Sequence, residues 1–446
     1  MTDLHPDTFA ENAGLHPLSL AACTGERDLM RKRRAQETRA GWYGRIAVTI
    51  ACFFLIVLVV TIIKTGMGAF IQTQVRLPIQ FDREILHLPQ GVAPEKLGES
   101  IHKANFRALA HASLRELFPS VTGRAGRFQL YGMLSDETGR VLRRMVEKDP
   151  KLLGTRQEVW VPMSATIDMV VKGRIKPGTP AAAQLGPKQL DAIKKLQETH
   201  RVARRFNGMF LTRADSREPE QAGVLGSFVG SLYIVLVCLL VAMPLGVGAA
   251  IYLEEFAPKN RWTDFIEVNI NNLAAVPSII FGLLALAIFL NLFEMPRSSA
   301  LVGGLALSML VLPTMVITTR HALKAVPPSI RDAAAGLGAS PMQILLHHTL
   351  PLALPGIMTG AILSLARALG ETAPLLMIGM VAFIADVPHT LMDPASALPV
   401  QIYLWADSPE RAFMEKTAGA ILVLLGVLVI LNALAVFLRR KFEYKW

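Results

Sequence analysis

Long apolar runs are the dominant pattern along this chain. A window of about 19 residues, the usual length for detecting membrane helices, finds six of them. They lie at residues 46–63, 227–253, 272–293, 300–319, 352–385 and 417–438. A hydrocarbon core of about 30 Å needs about 20 apolar helical residues to cross it. Each run reaches or approaches that length, so the pattern predicts a mainly α, polytopic membrane protein with six transmembrane helices.

The region between the first two runs has the pattern of a soluble domain. Apolar residues alternate from Val75 to Phe81, which is the period of a strand. Residues 93–118 and 186–206 instead repeat apolar positions with the period of a helix. About 150 residues can bury a core of their own. We therefore predict a mixed α+β insertion after the first span, and its His and Glu residues have no spacing that predicts a metal site.

Changes in composition divide the chain into four predicted segments, with the main boundary near residue 222. The segments are a loosely ordered cytoplasmic tail at 1–44, a first transmembrane helix at 45–65, an extracytoplasmic domain at 66–222 and a five-span core at 223–446.

The basic residues flank the spans, and their positions predict the orientation of the chain. The formal net charge is +11. Basic clusters lie at residues 31–45, before the first span, and at 439–445, after the last, whereas the short segment 386–416 is mainly acidic. Because cytoplasmic loops carry the excess of Lys and Arg, both termini are predicted to be cytoplasmic. A nucleic-acid partner is not expected, since these charges belong to the membrane flanks.

The sequence contains no cysteine pattern or phosphate-binding loop that would indicate a catalytic site. The three cysteines, Cys23, Cys52 and Cys238, offer no disulfide framework or metal cluster. The sequence has no GxxxxGK[ST] phosphate loop, so ATP hydrolysis by that route is excluded. We expect a subunit that is not itself an enzyme and that has no cofactor.

The segment between the fourth and fifth runs predicts two short helices joined at a glycine. Ser329 and Asp332 fit a capping box that would begin the first helix. Gly338 is suited to the left-handed conformation that ends it. Ser340, with Pro341 and Gln343 after it, predicts the start of the second helix. From the residues alone, an ordinary helical hairpin remains the alternative.

Two charges interrupt the fifth run. Arg367 and Glu371 are the only charged residues between Pro351 and Asp386, and their spacing of four places them on one helical face. Each charge costs about 2.5–3.5 kcal/mol at the centre of a span, so both must face protein or a wet cavity. Pro374 lacks the amide that would bond Gly370, which predicts a kinked or broken helix. These features favour a substrate gate; the alternative is a structural ion pair.

The predicted hairpin resembles the EAA motif of ATP-binding-cassette importer permeases. The resemblance rests on D-A-A-x-x-x-G at 332–338, followed by L-P at 350–351, although Asp332 replaces the usual Glu and His348 the usual isoleucine. In that family the helix docks into a cleft on a separate ATPase subunit. The resemblance therefore implies a cytoplasmic coupling loop at 321–350, formed by Ser329, Asp332, Ala333, Ala334, Gly338, Leu350 and Pro351.

The charged stretch resembles the signature of phosphate-importer permeases of the PstA type. It reads SLARALGETAPLL, and two further stretches, PLGVGAAIYLEEFAPKN and NNLAAVPSIIFGLLAL, are similar to the same subunit. The resemblance covers residues 223–446 and implies a type I ABC importer permease fold. It assigns the phosphate path to Arg367, Glu371, Thr372 and Pro374. The alternatives are a sulfate or molybdate permease, which usually continues Phe-Gly-Ala after this Glu, and a non-transporting phosphate sensor.

The same resemblance implies the partners. They are a second, homologous permease, two cytoplasmic ATP-binding subunits, an extracytoplasmic phosphate-binding protein and membrane lipid. The expected location is a bacterial inner membrane, with residues 66–222 outside the cytoplasm.

Overall fold

A computed structural model describes residues 17–88, 100–175 and 185–442. The chain divides into two compact units, Met1–Ile62 and Ile63–Trp446. The fold is mainly helical, with one small sheet.

The first helix, α1, spans Pro17–Gly66 without interruption. The prediction of a loosely ordered tail at 1–44 is therefore wrong from residue 17 onward, and residues 1–16 lie outside the described part of the chain. The tail contains many Arg, Ala, Leu, Met and Glu residues, which are strong helix formers. Proline stands only at the first position of the helix, where its fixed φ and missing amide are tolerated.

The inserted region contains a three-stranded antiparallel sheet. Its strands are β1 (Ile71–Gln80), β2 (Arg156–Pro162) and β3 (Val202–Phe206), in the order β2-β1-β3. The predicted alternation is confirmed, because Val75, Leu77 and Ile79 are completely buried. The predicted helix at 186–206 ends earlier than expected, and its last residues form β3, which pairs with β1.

Helices cover one face of this sheet and complete its core. They are α2 (Arg107–Leu117), α3 (Arg124–Tyr131), α4 (Glu137–Lys148), α5 (Ala165–Val171) and α6 (Pro187–Glu198). Leu109, Leu142 and Ile193 join the strand residues in one hydrophobic cluster. The helix predicted at 93–118 is interrupted at residues 104–106, and its first part, up to residue 99, lies outside the described residues. The mixed α+β class of the insertion is confirmed.

A short helix, α7 (Gly208–Thr212), leads into the apolar helices of the remaining chain. These are α8 (Leu225–Ile251), α9 (Arg261–Ala274), α10 (Ser278–Ala285), α11 (Ala300–Lys324), α12 (Pro328–Gly336), α13 (Pro341–Ile344), α14 (Leu350–Gly370), α15 (Ala373–Met377), α16 (Leu398–Ala406) and α17 (Ala412–Phe442). Within the described residues, five helical segments are long and apolar enough to cross a membrane. The count reaches six if the bent pair formed by α9 and the segment Ser278–Leu292 is one span. The six-span count stays a prediction.

The third apolar run, 272–293, is broken in the structure. It includes the end of α9, a break before Ser278, and α10 with the π-helical turn Leu286–Leu292 that follows it. The two helices are bent by 103°. Pro277 causes the break, since a proline lacks the amide for the preceding turn and disfavours helical geometry in the residue before it.

A buried carboxylate joins the inserted region to the first and last spans. Glu415, in the first turn of α17, lies 2.9 Å from Lys172 Nζ and 2.9 Å from Arg174 Nε. Lys172 also donates to the carbonyl of Gly68, and Arg174 to that of Lys64, both at 2.9 Å. The side chains of Lys172 and Glu415 are 9% and 6% exposed. Three segments that are distant in sequence therefore meet at one carboxylate.

A second contact joins the inserted region to α16. Trp405 Nε1 donates to Asp215 Oδ1 at 3.0 Å, and Gln401 Nε2 donates to the carbonyl of Gly223 at 3.3 Å. Burial raises the pKa of Asp215, and the hydrogen bond from Trp405 opposes that rise. Residues on both sides of the predicted boundary near residue 222 belong to one compact unit. That boundary therefore stays a prediction.

The junction at Glu415 predicts a measurable loss of stability. Glu415→Gln leaves the ammonium of Lys172 and the guanidinium of Arg174 without their shared carboxylate. Lys172 keeps a second carboxylate, Asp168, at 2.6 Å. The cost should therefore stay below the about 3–5 kcal/mol of a buried charge left unpaired, but the apparent Tm of the detergent-solubilised chain should still fall by several degrees. Glu116→Gln is the matched control. It breaks an exposed pair with Arg156, which is worth at most about 1 kcal/mol. Equal Tm shifts in the two variants would contradict the assigned role.

Candidate functional site

The charged stretch of the fifth run forms a corner. Helix α14 ends at Gly370, Glu371 is extended with φ −82° and ψ 126°, and α15 begins at Ala373. The helix break predicted from Pro374 is confirmed, since this proline supplies no amide to the carbonyl of Gly370. The apolar run 352–385 is not helical throughout, because α15 ends at Met377 and no described helix follows until α16.

Arg367 and Glu371 approach each other across the end of α14. Arg367 Nε lies 3.6 Å from Glu371 Oε1, with side chains 39% and 21% exposed. The predicted common helical face is wrong for Glu371, which lies beyond the last helical residue. A separation of 3.6 Å is an ion pair but is too long for a hydrogen bond. Among the described residues Arg367 has no other ion-pair partner, so its guanidinium retains donors for a further group.

The corner packs against α10 through a glycine. A Cβ added to Gly282 would lie 2.7 Å from Pro374 Cα and 2.9 Å from Met377 Cβ. Real Cβ atoms do not approach so closely, so only glycine lets the two backbones meet here. Pro374 is buried and Thr372 is half-buried. Two stretches that the sequence analysis singled out, around Gly282 and around Pro374, are therefore in contact.

A buried hydroxyl lies one turn before Arg367. Ser364 is 1% exposed, and its Oγ has no hydrogen-bond partner in the described part of the chain. The sequence analysis did not select Ser364, although it is the first residue of the quoted signature stretch. Its position adds a polar group to the turn that carries the arginine.

The first helix of the predicted hairpin, α12, begins differently from expectation. Pro327 is its N-cap and Pro328 its first residue, so Ser329 lies inside the helix and makes no capping bond. The predicted Ser329–Asp332 capping box is wrong. The proline pair begins the helix instead, because Pro328 has a suitable φ and needs no partner for an amide. Asp332 is exposed in the second turn.

The end of α12 follows the sequence prediction more closely. Gly338 has φ +84°, so the predicted left-handed conformation is confirmed, although the last helical residue is Gly336. Gly338 N donates to the carbonyl of Ala335 at 2.9 Å, and Ala339 N to that of Ala334 at 3.1 Å. This pair of bonds is a Schellman motif.

The second capping box is also confirmed, but the helix that it begins is not short. Ser340 N donates to Gln343 Oε1 at 2.9 Å, and Gln343 N donates to Ser340 Oγ at 3.4 Å. Helix α13 then continues through the π-helical turn Leu345–Thr349 into α14, which contains Leu350 and Pro351. A widened turn just before Pro351 accommodates its missing amide, whereas the sequence analysis expected the second helix to end.

One side of α12 is packed and the other is uncovered. Ile330, Leu350 and the buried Val326 belong to one hydrophobic cluster, and Ala334 is also buried. Ala333 and Gly336 are exposed, and Leu337 is 91% exposed. An exposed leucine beside small residues gives this side the character of a contact surface.

Ion pairs that the sequence analysis missed hold the base of this segment. Arg331 Nη1 lies 2.9 Å from Glu255 Oε1, and Arg331 Nη2 donates to the carbonyl of Leu323 at 2.8 Å. Arg320 and Lys324 lie 3.4 and 3.6 Å from Glu254. The available signal was that these charges follow the second and fourth apolar runs, whose carboxyl-terminal ends lie on the same side of the membrane because the two spans run in the same direction.

Two family models match different parts of the chain. Residues 242–444 match the family described as "Binding-protein-dependent transport system inner membrane component". Residues 27–181 match a domain of unknown function, DUF3333.

Curated relatives match about half of the chain. The phosphate transport system permease protein PstA of Haemophilus influenzae is 35% identical over 235 residues, which are 52% of this chain and 80% of that protein. The PstA of Yersinia pestis is 34% identical over 54% of this chain and 82% of its own length. Among solved structures, an inward-facing MetNI methionine ABC transporter is 17% identical over 50% of this chain and 95% of that chain, with a TM-score of 0.38.

The contact between Gly282 and Pro374 predicts that this glycine cannot be replaced. Gly282→Ala forces the corner away from α10, and overpacking of this kind costs about 1–3 kcal/mol. We expect a lower apparent Tm and a changed cross-linking distance between cysteines introduced at Ile279 and Met377. Gly248→Ala is the control, because a Cβ there meets no atom within 4 Å. A Gly282→Ala chain with the stability and cross-linking of the parent would disprove the close contact.

Proposed function

The chain belongs to the family of phosphate transport system permeases of the PstA type, and we propose that it forms part of the translocation path of an ATP-driven importer of inorganic phosphate. Its helical core has the type I ABC importer permease fold, and the protein is a multi-pass membrane component of such an importer. The observation that carries the proposal is the broken helix beside Arg367, whose guanidinium is only loosely paired with Glu371.

The arginine suits an oxyanion for a physical reason. A guanidinium is always charged and presents a planar fork of donors that matches two oxygens of a phosphate. The Thr372 hydroxyl, at the same corner, is a further donor. Glu371 would hold Arg367 in place while the path is empty and would repel the bound anion. The site would therefore pass phosphate on and not trap it.

The helix break lies between α14, which carries Arg367, and α15, so a movement of either helix can change the distances among Arg367, Glu371 and Thr372. Residues Glu371 and Thr372 separate α14 from α15, and irregular backbone within a membrane is tolerated only where protein or a water-filled cavity satisfies it. Since Pro374 is fixed against Gly282, a displacement of α14 would change the distance from Arg367 to the corner. We take that displacement as the gating movement.

The partners of this subunit are part of the proposal. A second, homologous permease would complete the path, two cytoplasmic ATP-binding subunits would drive it, and an extracytoplasmic phosphate-binding protein would deliver the anion. The segment 321–350 would contact the ATPase through the uncovered side of α12. The ion pairs of Arg331 and Lys324 support this assignment, because they connect that segment to Glu255 and Glu254, just after α8.

The charge distribution supports an orientation. The basic clusters at 31–45 and 439–445 favour a cytoplasmic location for both termini. In a bacterial inner membrane, residues 66–222 would then lie on the extracytoplasmic side and the segment 321–350 on the cytoplasmic side.

Phosphate uptake by arginine variants tests the path. Arg367→Gln should lower uptake of labelled phosphate at least about tenfold, since a charge-assisted contact is worth about 1.5–3 kcal/mol. Arg367→Lys keeps the charge without the fork and should retain partial uptake. Arg297→Gln, at an exposed arginine before α11, is the control. Sulfate and molybdate serve as competitors, and competition by either at concentrations equal to phosphate would redirect the proposal to another oxyanion.

The double variant Arg367→Glu with Glu371→Arg separates a gate from a structural lock. A lock tolerates exchange of its two charges, whereas an anion path loses the arginine from its required position. We expect normal insertion and co-purification with no phosphate uptake. Uptake equal to that of the parent, normalised to inserted protein, would refute the gate.

The loop variant Gly338→Val tests coupling and orientation together. Valine at φ +84° is strained, and a left-handed conformation costs about 1–2 kcal/mol for a residue with a Cβ. The exit of α12 should therefore shift, and the co-purified ATPase should be lost while insertion is retained. Gly426→Ala, in α17 and outside the segment 321–350, is the control, because a Cβ there meets nothing within 4 Å and its φ is not positive. An ATPase that remains bound and fully coupled in Gly338→Val would remove this loop, and its cytoplasmic placement, from the proposal.

A further inference from the structure

Helix α9 (Arg261–Ala274) is amphipathic, and none of its residues is buried. Its apolar side includes Trp262, Phe265, Ile266 and Leu273, which are 75%, 60%, 45% and 46% exposed. Thr263, Asp264, Glu267 and Asn271 lie on the opposite side of the helical wheel. The helix is therefore uncovered on the side that a water-soluble protein would bury.

The polar side of α9 is the side attached to the rest of the core. Glu267 Oε1 lies 2.8 Å from Arg320 Nη1, and the arginine side chain is only 11% exposed. Because this ion pair fixes the polar side toward α11, the apolar side points away from the protein. The arrangement is the reverse of an amphipathic helix that packs on a soluble core.

The ends of α9 fix its direction. The Asn260 side chain accepts from the amides of Trp262 and Thr263, at 3.0 and 2.9 Å, and so begins the helix shortly after the turn that ends α8. At the other end, Pro277 separates it from α10, and the bend is 103°. If Ser278–Leu292 runs across the membrane, α9 runs nearly parallel to the membrane plane, at the depth where α8 leaves it.

We propose that α9 is an interfacial helix that lies on the membrane, with its apolar side inserted at the boundary between lipid headgroups and acyl chains. Helices of this kind carry their apolar and polar residues on clearly separated faces, and they bury the apolar side about 5–10 Å deep. Trp262 follows Lys259 and Arg261, and this combination of aromatic and basic residues is typical of the interface. The lipid surface is continuous with the exposed apolar side chains of α8, such as Leu240 and Leu245.

This placement would fix the depth, in the membrane, of the end of the core that carries the segment 321–350. Arg320 contacts both Glu267 of α9 and Glu254 at the end of α8. A helix held at the headgroup level thus holds the ends of α8 and α11 at the same level. The inference does not depend on which anion the protein transports.

Fluorescence quenching from labelled lipids tests the placement. Cys23, Cys52 and Cys238 are replaced by alanine in the full-length chain, and single cysteines are introduced for bimane labelling. Positions 262 and 266 report the apolar side, and the matched positions 264 and 271 report the polar side. The chain is reconstituted in phosphatidylethanolamine–phosphatidylglycerol vesicles that carry nitroxide lipids at shallow or deep positions. We expect strong quenching at 262 and 266 by the shallow nitroxide and protection of both from aqueous iodide, with neither effect at 264 and 271.

Three results would overturn the proposal. Stronger quenching by the deep nitroxide would make α9 half of a span, and equal iodide access on both sides would place it in water. Loss of lipid quenching at 262 and 266 only when the second permease is present would make the surface a subunit interface. If the cysteine-free chain does not fold, the emission of Trp262 itself is measured in place of the label. It is obtained as the difference in tryptophan fluorescence between the parent and the Trp262→Phe variant. Lipids brominated near the headgroup should quench this Trp262 emission, and an absence of quenching would likewise overturn the proposal.

Discussion

The close approach of α10 to the corner after α14 depends on Gly282, whose missing side chain leaves room for the backbone of Pro374. Within a membrane, backbone that leaves the helical conformation needs neighbouring protein or a wet cavity to satisfy its polar groups. Pro374 has no amide hydrogen to donate to the carbonyl of Gly370, so the helix breaks at this point. Gly282 lets α10 cover one side of the break. Arg367 and Glu371 stand at the uncovered side, where an ion pair 3.6 Å long leaves the guanidinium available. In the proposed importer, this is the point at which the anion meets the protein.

The corner and the segment that would meet the ATPase are the two ends of one helical element. Pro341–Gly370 is continuous over 30 residues, which corresponds to about 45 Å at a rise of about 1.5 Å per residue. Ser340 and Gly338 determine where this element begins, and its π-helical turn lies beside the proline at 351. A displacement of α12 would therefore reach Arg367 through a single helix. Arg320 pairs with Glu254 and so holds the neighbouring ends of α8 and α11 together, while Arg331 ties α12 itself to Glu255.

The inserted region is connected to the same core by buried charge. Glu415 begins the last long helix and accepts from Lys172 and Arg174, while those two side chains also bind the backbone at the end of α1. Asp215 adds a hydrogen bond to Trp405 of α16, the helix between the corner and α17. The region matched only by a domain of unknown function, residues 27–181, is thus attached to α17 of the permease core through Lys172 and Arg174. Lys172, Arg174 and Asp215 are the charged residues that make these attachments.

The sequence by itself determined what local chemistry controls. Apolar runs predicted the membrane helices, alternation predicted β1, and single residues predicted the left-handed Gly338, the Ser340 cap and the break before Pro374. Each follows from a missing amide, a missing Cβ or a side chain that reaches its own backbone. Local reasoning was wrong at Ser329, because Pro327 and Pro328 begin the same helix two residues earlier. Only the tertiary structure decided the 103° bend, the contact of Gly282 with Pro374 and the partners of Glu415 and Arg331. These depend on which distant segments share a buried volume, and the order of residues in one dimension does not specify that.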